Sequence, residues 1–219
     1  VKDNTQKIFS LIEKNVANLS TPLIVGISGT YTSGKTHFAD GLAQYLQSQG
    51  KKTQLIHYDD FHDPFADINW TQKSGDEINA FYNNAFDYEK LIEEVISPLK
   101  QHGVIKKEID CIDLGSGKHT NKIHVDINEE TIVILEGVLL FRSPLLHFLD
   151  YKVFLEISVE EMLNRGSIRD VPKFGQSILN LYKSRYIPVH HRHLDEDSPR
   201  EVADMVIDNT SYINPIVIK

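Results

Sequence analysis

A single cysteine, Cys111, stands in 219 residues, so an intramolecular disulfide framework is excluded and a packed core thiol is the expectation for it. A basic excess is lacking too. Lys and Arg number 23 against 31 Asp and Glu, a net charge of -8, and a protein built to hold nucleic acid would carry the opposite balance. Long apolar runs are missing. The longest, within TIVILEGVLLF, falls well short of the roughly 18 residues that a membrane-spanning helix needs, so no membrane partner is expected. The first residues, VKDNTQKIFSLIEKN, have neither the apolar stretch nor the small-residue cleavage site of a secretory signal, and a cytoplasmic location is expected. Repeats and low-complexity tracts are absent from the sequence. Hydrophobic residues make up 41% and charged residues 25%, proportions of a globular chain with one sizeable core, so a single domain over 1–219 is expected. Homo-oligomer formation is left open by these numbers.

The apolar pattern alternates between two periods. Ile8, Ile12, Val16 and Leu19 recur at helical spacing and predict an N-terminal helix within 1–21, ended by Ser20, Thr21 and Pro22. Short apolar runs at 23–27, 53–58, 131–135, 152–157 and 205–207 read as strands, with helical patterns at 35–49, 88–101, 158–169 and 174–193 between or after them. Pro98 is expected to disturb the end of its helix. Residues 62–86 read as polar and irregular. Around Gly115, Ser116 and Gly117 the alternation at 104–128 predicts an inserted β-hairpin, of the kind that covers a site. The sum is an α/β chain with a five-stranded parallel sheet flanked by helices, whose ligands sit beyond the strand C-termini.

Gly29, Thr30, Tyr31, Thr32, Ser33, Gly34, Lys35 and Thr36 fit G-x-x-x-x-G-K-[ST], directly after a buried strand and directly before a helix. That context is what a phosphate-binding P-loop requires. Glycines let backbone N–H groups turn inward, the helix N-terminus adds positive potential, Lys35 reaches the β/γ-phosphates, and Thr36 ligates Mg²⁺. Asp59 and Glu136 follow two other strands and should emerge on the same sheet edge, where one carboxylate can accept a hydroxyl proton and the other can hold Mg²⁺. Between 165 and 193 lie Arg165, Arg169, Lys173, Lys183, Arg185 and Arg192 against one acid, Asp170. This predicts an anion-facing lid over about 160–193, with Arg165 and Arg169 on one helix face. His190, His191 and His193 lack metal-ligand companions and read as a surface cluster.

In order and spacing, GTYTSGKT, YDDFH, AFDYEKLIEEVISPL, ILEGVLLF, RGSIRD and ADMVIDN resemble the uridine kinase and phosphoribulokinase family of P-loop kinases, over about residues 23–209. The resemblance implies ATP as donor, a nucleoside-like hydroxyl acceptor and a five-stranded parallel core. It further implies Asp59 as catalytic base close to Mg²⁺, Glu136 in the metal shell, and Arg165 and Arg169 as lid arginines. Departures fall in the acceptor pocket and lid. Where the family has Asp-His-Pro, this chain has Phe81, Tyr82, Asn83 and Asn84; two base-contacting family positions fall on Ile112 and Gly117, and further lid arginines on Phe174 and Gln176, with Lys173 nearby.

The sequence therefore predicts an ATP:hydroxyl phosphotransferase whose acceptor lies between residues 57–87 and the hairpin, touching Tyr58, Phe61 and Tyr82. Two alternatives follow from the altered pocket. One is a nucleotide-dependent regulatory module with little turnover; the other is a kinase for another acceptor, such as a vitamin riboside or a phosphorylated sugar.

Overall fold

The computed structural model describes residues 4–113 and 118–219. Five parallel strands form its centre: β1 Leu23–Gly29, β2 Thr53–His57, β5 Ile132–Gly137, β6 Tyr151–Glu156 and β7 Met205–Asp208, with β8 Ile216–Val217 added antiparallel at one edge. The order is β2-β5-β1-β6-β7-β8. β1 and β5, at the middle, are buried along their whole length, which is why both read as unbroken apolar runs rather than alternating ones. The short β8 was not visible in the sequence, because two residues carry no period.

Helix α1 (Asn4–Val16) buries Ile8, Phe9, Ile12 and Val16 against α2 (Lys35–Ser48), whose Phe38, Leu42 and Leu46 cover one sheet face. Each such fully buried large side chain contributes roughly 1.5–3 kcal/mol. The opposite face is covered by a helical run made of α5 (Tyr88–Leu91), a π-turn at Ile92–Ile96 and α6 (Ser97–His102). A second π-turn, Tyr182–Tyr186, joins α9 (Ile178–Leu181) to α10 (Ile187–Asp197). Both π-turns stand just before a proline, Pro98 and Pro188. Proline has no N–H and its ring crowds the carbonyl one turn back, and the wider turn relieves that conflict without breaking the helix.

Several expectations are corrected. Residues 62–86 are not irregular: α3 (Pro64–Ser74) and α4 (Glu77–Asn84) occupy most of them. Asp76 caps α4 by accepting from the Asn79 N–H at 2.9 Å, and the helix's buried residues, Ala80, Phe81 and Tyr82, are consecutive and so show no helical spacing in the sequence. The long helix of the lid region starts at Ile178, behind the separate turn α8 (Val171–Phe174) and Gly175, and continues to Asp197. The inserted hairpin pairs β3 (Ile105–Asp113) with β4 (Lys118–Ile127); its turn, with Gly117, lies outside the described residues. It packs Ile105, Ile109, Val125 and Ile127 into the core and bonds to the β2 edge through Gln54 and Lys52. Its described residues cover that edge, and β3 also meets the Tyr58–Phe61 turn that follows β2. Cys111 is buried, in keeping with a packed core thiol.

Candidate active site

The sheet register assembles the site. Ile27 of β1 lies opposite Glu136 of β5, and His57 of β2 lies opposite the same Glu136, so the chain leaves β1 as a loop directly beside two other strand ends. At Gly29 a side chain would stand 2.4 Å from the Leu155 carbonyl, and Gly34 holds φ 90°; each position needs glycine. Gly34 also caps α2 with no side-chain bond to the first turn, leaving those N–H groups available to an anion. Thr32 sits at φ 56° without being glycine, a conformation kept only when its surroundings impose it.

Those surroundings come from α7 (Val159–Arg169), which Ser158 caps through the Glu161 N–H at 3.1 Å. Arg165 is 6% exposed and donates to the Thr32 carbonyl at 3.2 Å, to the Asn209 and Thr210 carbonyls at 2.7 and 2.8 Å, and to Glu161 at 2.6 Å, with its guanidinium 3.6 Å above the Tyr212 ring. Asn209 donates to the Ser33 carbonyl at 2.7 Å. The loop is thereby clamped from α7 and from the segment after β7. Arg165 and Arg169, expected to act together, have different surroundings: Arg169 keeps a side chain 54% exposed and holds Asp170 with two bonds of 2.7 and 2.9 Å.

Lys35 is buried and donates to the Thr30 carbonyl at 2.9 Å. Burial pushes its ammonium down, and Glu136 and Asp59 offset part of that. Glu136, 3% exposed, accepts from the Thr36 hydroxyl at 3.1 Å and meets His57 Nδ1 at 2.7 Å. Its carboxyl is held below the ordinary range: burial raises it, and the His57 hydrogen bond, Lys35 and Thr36 together outweigh burial. The hydrogen bond to Glu136 correspondingly raises His57. Asp59 is exposed at the mouth of the site, and the protein atoms around it still push its carboxyl up against the pull of Lys35. Two carboxylates of opposed tendency beside a hydroxyl and an ammonium form a donor set that suits Mg²⁺ and phosphate.

Two cavities meet here. One, of about 380 Å³, lies along Gly34, His37, Arg165, Ile168 and Tyr212; the other, of about 430 Å³, contains Asp59, Glu136, Tyr31, His62, Phe81, Phe86 and Tyr186. Thr32, Lys35, Thr36 and Arg169 line both. No described hairpin residue lines either. Among the expected acceptor contacts, Phe61 is buried in the main core, while Tyr58 and Tyr82 line a separate cavity of about 270 Å³ with Arg142. Tyr82 is held there by its hydroxyl bond to Asp197 and by Arg142 and Arg192 at 3.6 and 4.1 Å from its ring centre.

The basic segment is also less free than its count implies. Arg185 pairs with Glu77 at 2.6 Å and Arg192 with Glu196 at 2.9 Å; Glu77 is remote in sequence and could not enter a local tally. His190 and His193 are buried rather than superficial, and His193 Nδ1 meets Asp197 at 2.7 Å. Sequence reasoning missed His57, Asn209, Tyr212 and the aromatic residues of the larger cavity. A His closing β2 and an Asn in VIDN carried a weak signal; the rings carried none, since their convergence is tertiary.

The model of the Phosphoribulokinase / Uridine kinase family matches residues 24–196. A uridine kinase of Ligilactobacillus salivarius is 25% identical over 191 residues, 85% of this chain and 84% of its own length. One of Listeria innocua is 27% identical over 191 residues, 85% and 86%. A solved structure of a possible uridine kinase from Bacillus stearothermophilus shares the fold with a TM-score of 0.70 at 23% identity, over 92% of this chain and 97% of that one.

Proposed function

Because the chain belongs to the phosphoribulokinase and uridine kinase family, and is therefore a P-loop phosphotransferase, we propose that it moves the γ-phosphate of ATP to a hydroxyl of a nucleoside-like small molecule. The observation that carries this reading is the meeting of two cavities at Thr32, Lys35, Thr36 and Arg169. A donor in one and an acceptor in the other would face each other across the residues that handle phosphate, as in-line transfer requires.

In this reading the N–H groups of 31–35 cradle the phosphates, and Lys35 exchanges the Thr30 carbonyl for β/γ-oxygens. Thr36 and Glu136 would hold Mg²⁺, which when bound neutralises charge on the phosphate oxygens. Asp59 accepts the proton of the acceptor hydroxyl, a task suited to a carboxylate whose hold on a proton is strengthened by burial. Arg169 turns from Asp170 to the transferring group, stabilising charge as it develops. Arg165 is a positioning residue, since its donors are spent on Thr32, Asn209, Thr210 and Glu161. ADP release by the wild-type protein, measured with MgATP alone and with uridine and related hydroxyl compounds added, tests the proposal. Stimulation accompanied by a phosphorylated acceptor supports it; ATP consumption indifferent to every acceptor contradicts it.

A further inference from the structure

The larger cavity is divided by chemistry. Its charged lining residues, Lys35, Asp59, Glu136, Arg169 and Asp170, stand at the P-loop, at the strand ends and at the end of α7. The rest of the wall is dominated by Tyr31, His62, Phe81, Phe86 and Tyr186. These rings are already packed: Tyr31 stacks on Tyr186 at 4.0 Å and 17°, Phe86 stacks on Tyr58 at 4.6 Å and 18°, and His62 meets Phe86 edge-on at 5.2 Å. A wall so fixed loses little freedom when a flat molecule lies against it. His62 is kept neutral, its imidazole pushed down by burial. Tyr31 Oη and His62 Nδ1 are enclosed and have no hydrogen-bond partner among the described residues; a ring bearing a carbonyl or nitrogen supplies the kind of partner they lack.

The charged groups are committed elsewhere. Both cations of the cavity, Lys35 and Arg169, belong to the shared rim with the nucleotide side. Glu136 is engaged by Thr36 and His57, and Asp170 by the Tyr182 hydroxyl at 2.6 Å, a bond that does not depend on Arg169, while Asp59 is needed for the proton. Among the described lining residues, no carboxylate remains to grip a vicinal diol and no cation remains for a second anion on the acceptor.

Resting on the phosphotransferase reading above, we propose that the acceptor is an uncharged alcohol carrying a planar ring, selected by stacking on the wall of Tyr31, Phe81 and Phe86, and that neither a vicinal diol nor a second anionic group takes part in its recognition. A cavity of about 430 Å³ accommodates a molecule of that size.

The test uses the wild-type protein with MgATP and four probes: uridine, 2′,3′-dideoxyuridine, 3-pyridylmethanol and ribulose 5-phosphate, with products read by mass spectrometry. At least one diol-free ring alcohol should be phosphorylated with kcat/KM no more than about tenfold below uridine, and ribulose 5-phosphate should trail by about 100-fold or more. Phosphorylation of uridine with both diol-free rings slower than that limit, or ribulose 5-phosphate within 100-fold of the best ring, overturns the inference and leaves the kinase reading intact. No phosphorylated product from any probe, with MgATP bound, removes both. Phe86→Leu should raise KM for the preferred ring alcohol about tenfold while leaving KM for MgATP in place; an unchanged acceptor KM would contradict stacking on this wall, and should the variant fail to bind MgATP the wild-type panel alone decides.

Discussion

Arg165→Ala separates a clamp from a catalytic arginine. The guanidinium is buried, and its removal strips partners from three backbone carbonyls, Thr32, Asn209 and Thr210, as well as from Glu161, whose side chain is 25% exposed. Glu161 can turn to water, so its loss costs little. The Asn209 carbonyl is buried, and a buried acceptor without a partner costs about 1–3 kcal/mol; the buried Thr32 carbonyl keeps only a long bond of 3.5 Å from the Tyr212 hydroxyl. With the cation–π contact to Tyr212 also gone, the total is about 3–5 kcal/mol. In a domain of this length that is a fall in Tm of roughly 10 °C. Because Thr32 then loses one of the groups imposing its left-handed conformation, MgATP should bind about tenfold more weakly or worse. Differential scanning fluorimetry and nucleotide titration read both effects, and Arg165→Lys should rescue little, since an ammonium cannot fork among these acceptors. A Tm within about 2 °C of wild type, with normal MgATP affinity and a slowed rate, would refute the clamp and restore Arg165 as a lid arginine.

Lys35→Ala should leave the fold intact by circular dichroism and abolish transfer, because Lys35 supplies charge to the phosphates and spends its own bond only on the Thr30 carbonyl. Arg169→Ala should lower kcat far more than it raises KM for ATP, as among the described residues its exposed side chain is tied down by Asp170 and Tyr182 alone; equal losses in rate and nucleotide affinity would mark a ground-state contact instead. His190 is pushed down to about 4, chiefly by burial and then by His193, His191 and Lys35. Its ordinary value near 6.5 in the unfolded chain means that the unfolded state binds the extra proton between these limits, so stability from this group is complete above about pH 6.5 and declines on acidification. From pH 7 to 5 the loss is on the order of 2 kcal/mol; urea unfolding of wild type and His190→Gln at both pH values should show a shallower fall in the variant.

Much of the centre was legible because its constraints are local. Gly29, Gly34, Lys35 and Thr36 stand in one short window, and the apolar runs of β1 and β5 have no polar member until their ends. Glu136 could be placed on the working edge because a parallel sheet gathers its strand C-termini there. What stayed hidden was set by partners far along the chain. Arg165 looks like a free lid cation until Asn209 and Thr210 come to rest against it; Arg185 looks unopposed until α4 brings up Glu77. α4 was missed because its three buried residues are consecutive, which carries no helical period. The acceptor wall draws its rings from the P-loop, α4 and its flanks, and the Tyr182–Tyr186 turn, and no sequence spacing connects them.

The central claim is that Asp59 takes the hydroxyl proton while Glu136 organises Mg²⁺, and a Mg²⁺ titration of Asp59→Asn and Glu136→Gln at saturating ATP and acceptor tests it most directly. Asp59→Asn should keep MgATP binding and lose roughly 10²- to 10⁴-fold in rate, with little recovery as Mg²⁺ rises. Glu136→Gln should need more Mg²⁺ for half-maximal activity and regain part of its rate when Mg²⁺ is in excess. Full rescue of Asp59→Asn with none for Glu136→Gln, or a wild-type rate for Asp59→Asn at any Mg²⁺ concentration, would contradict the account.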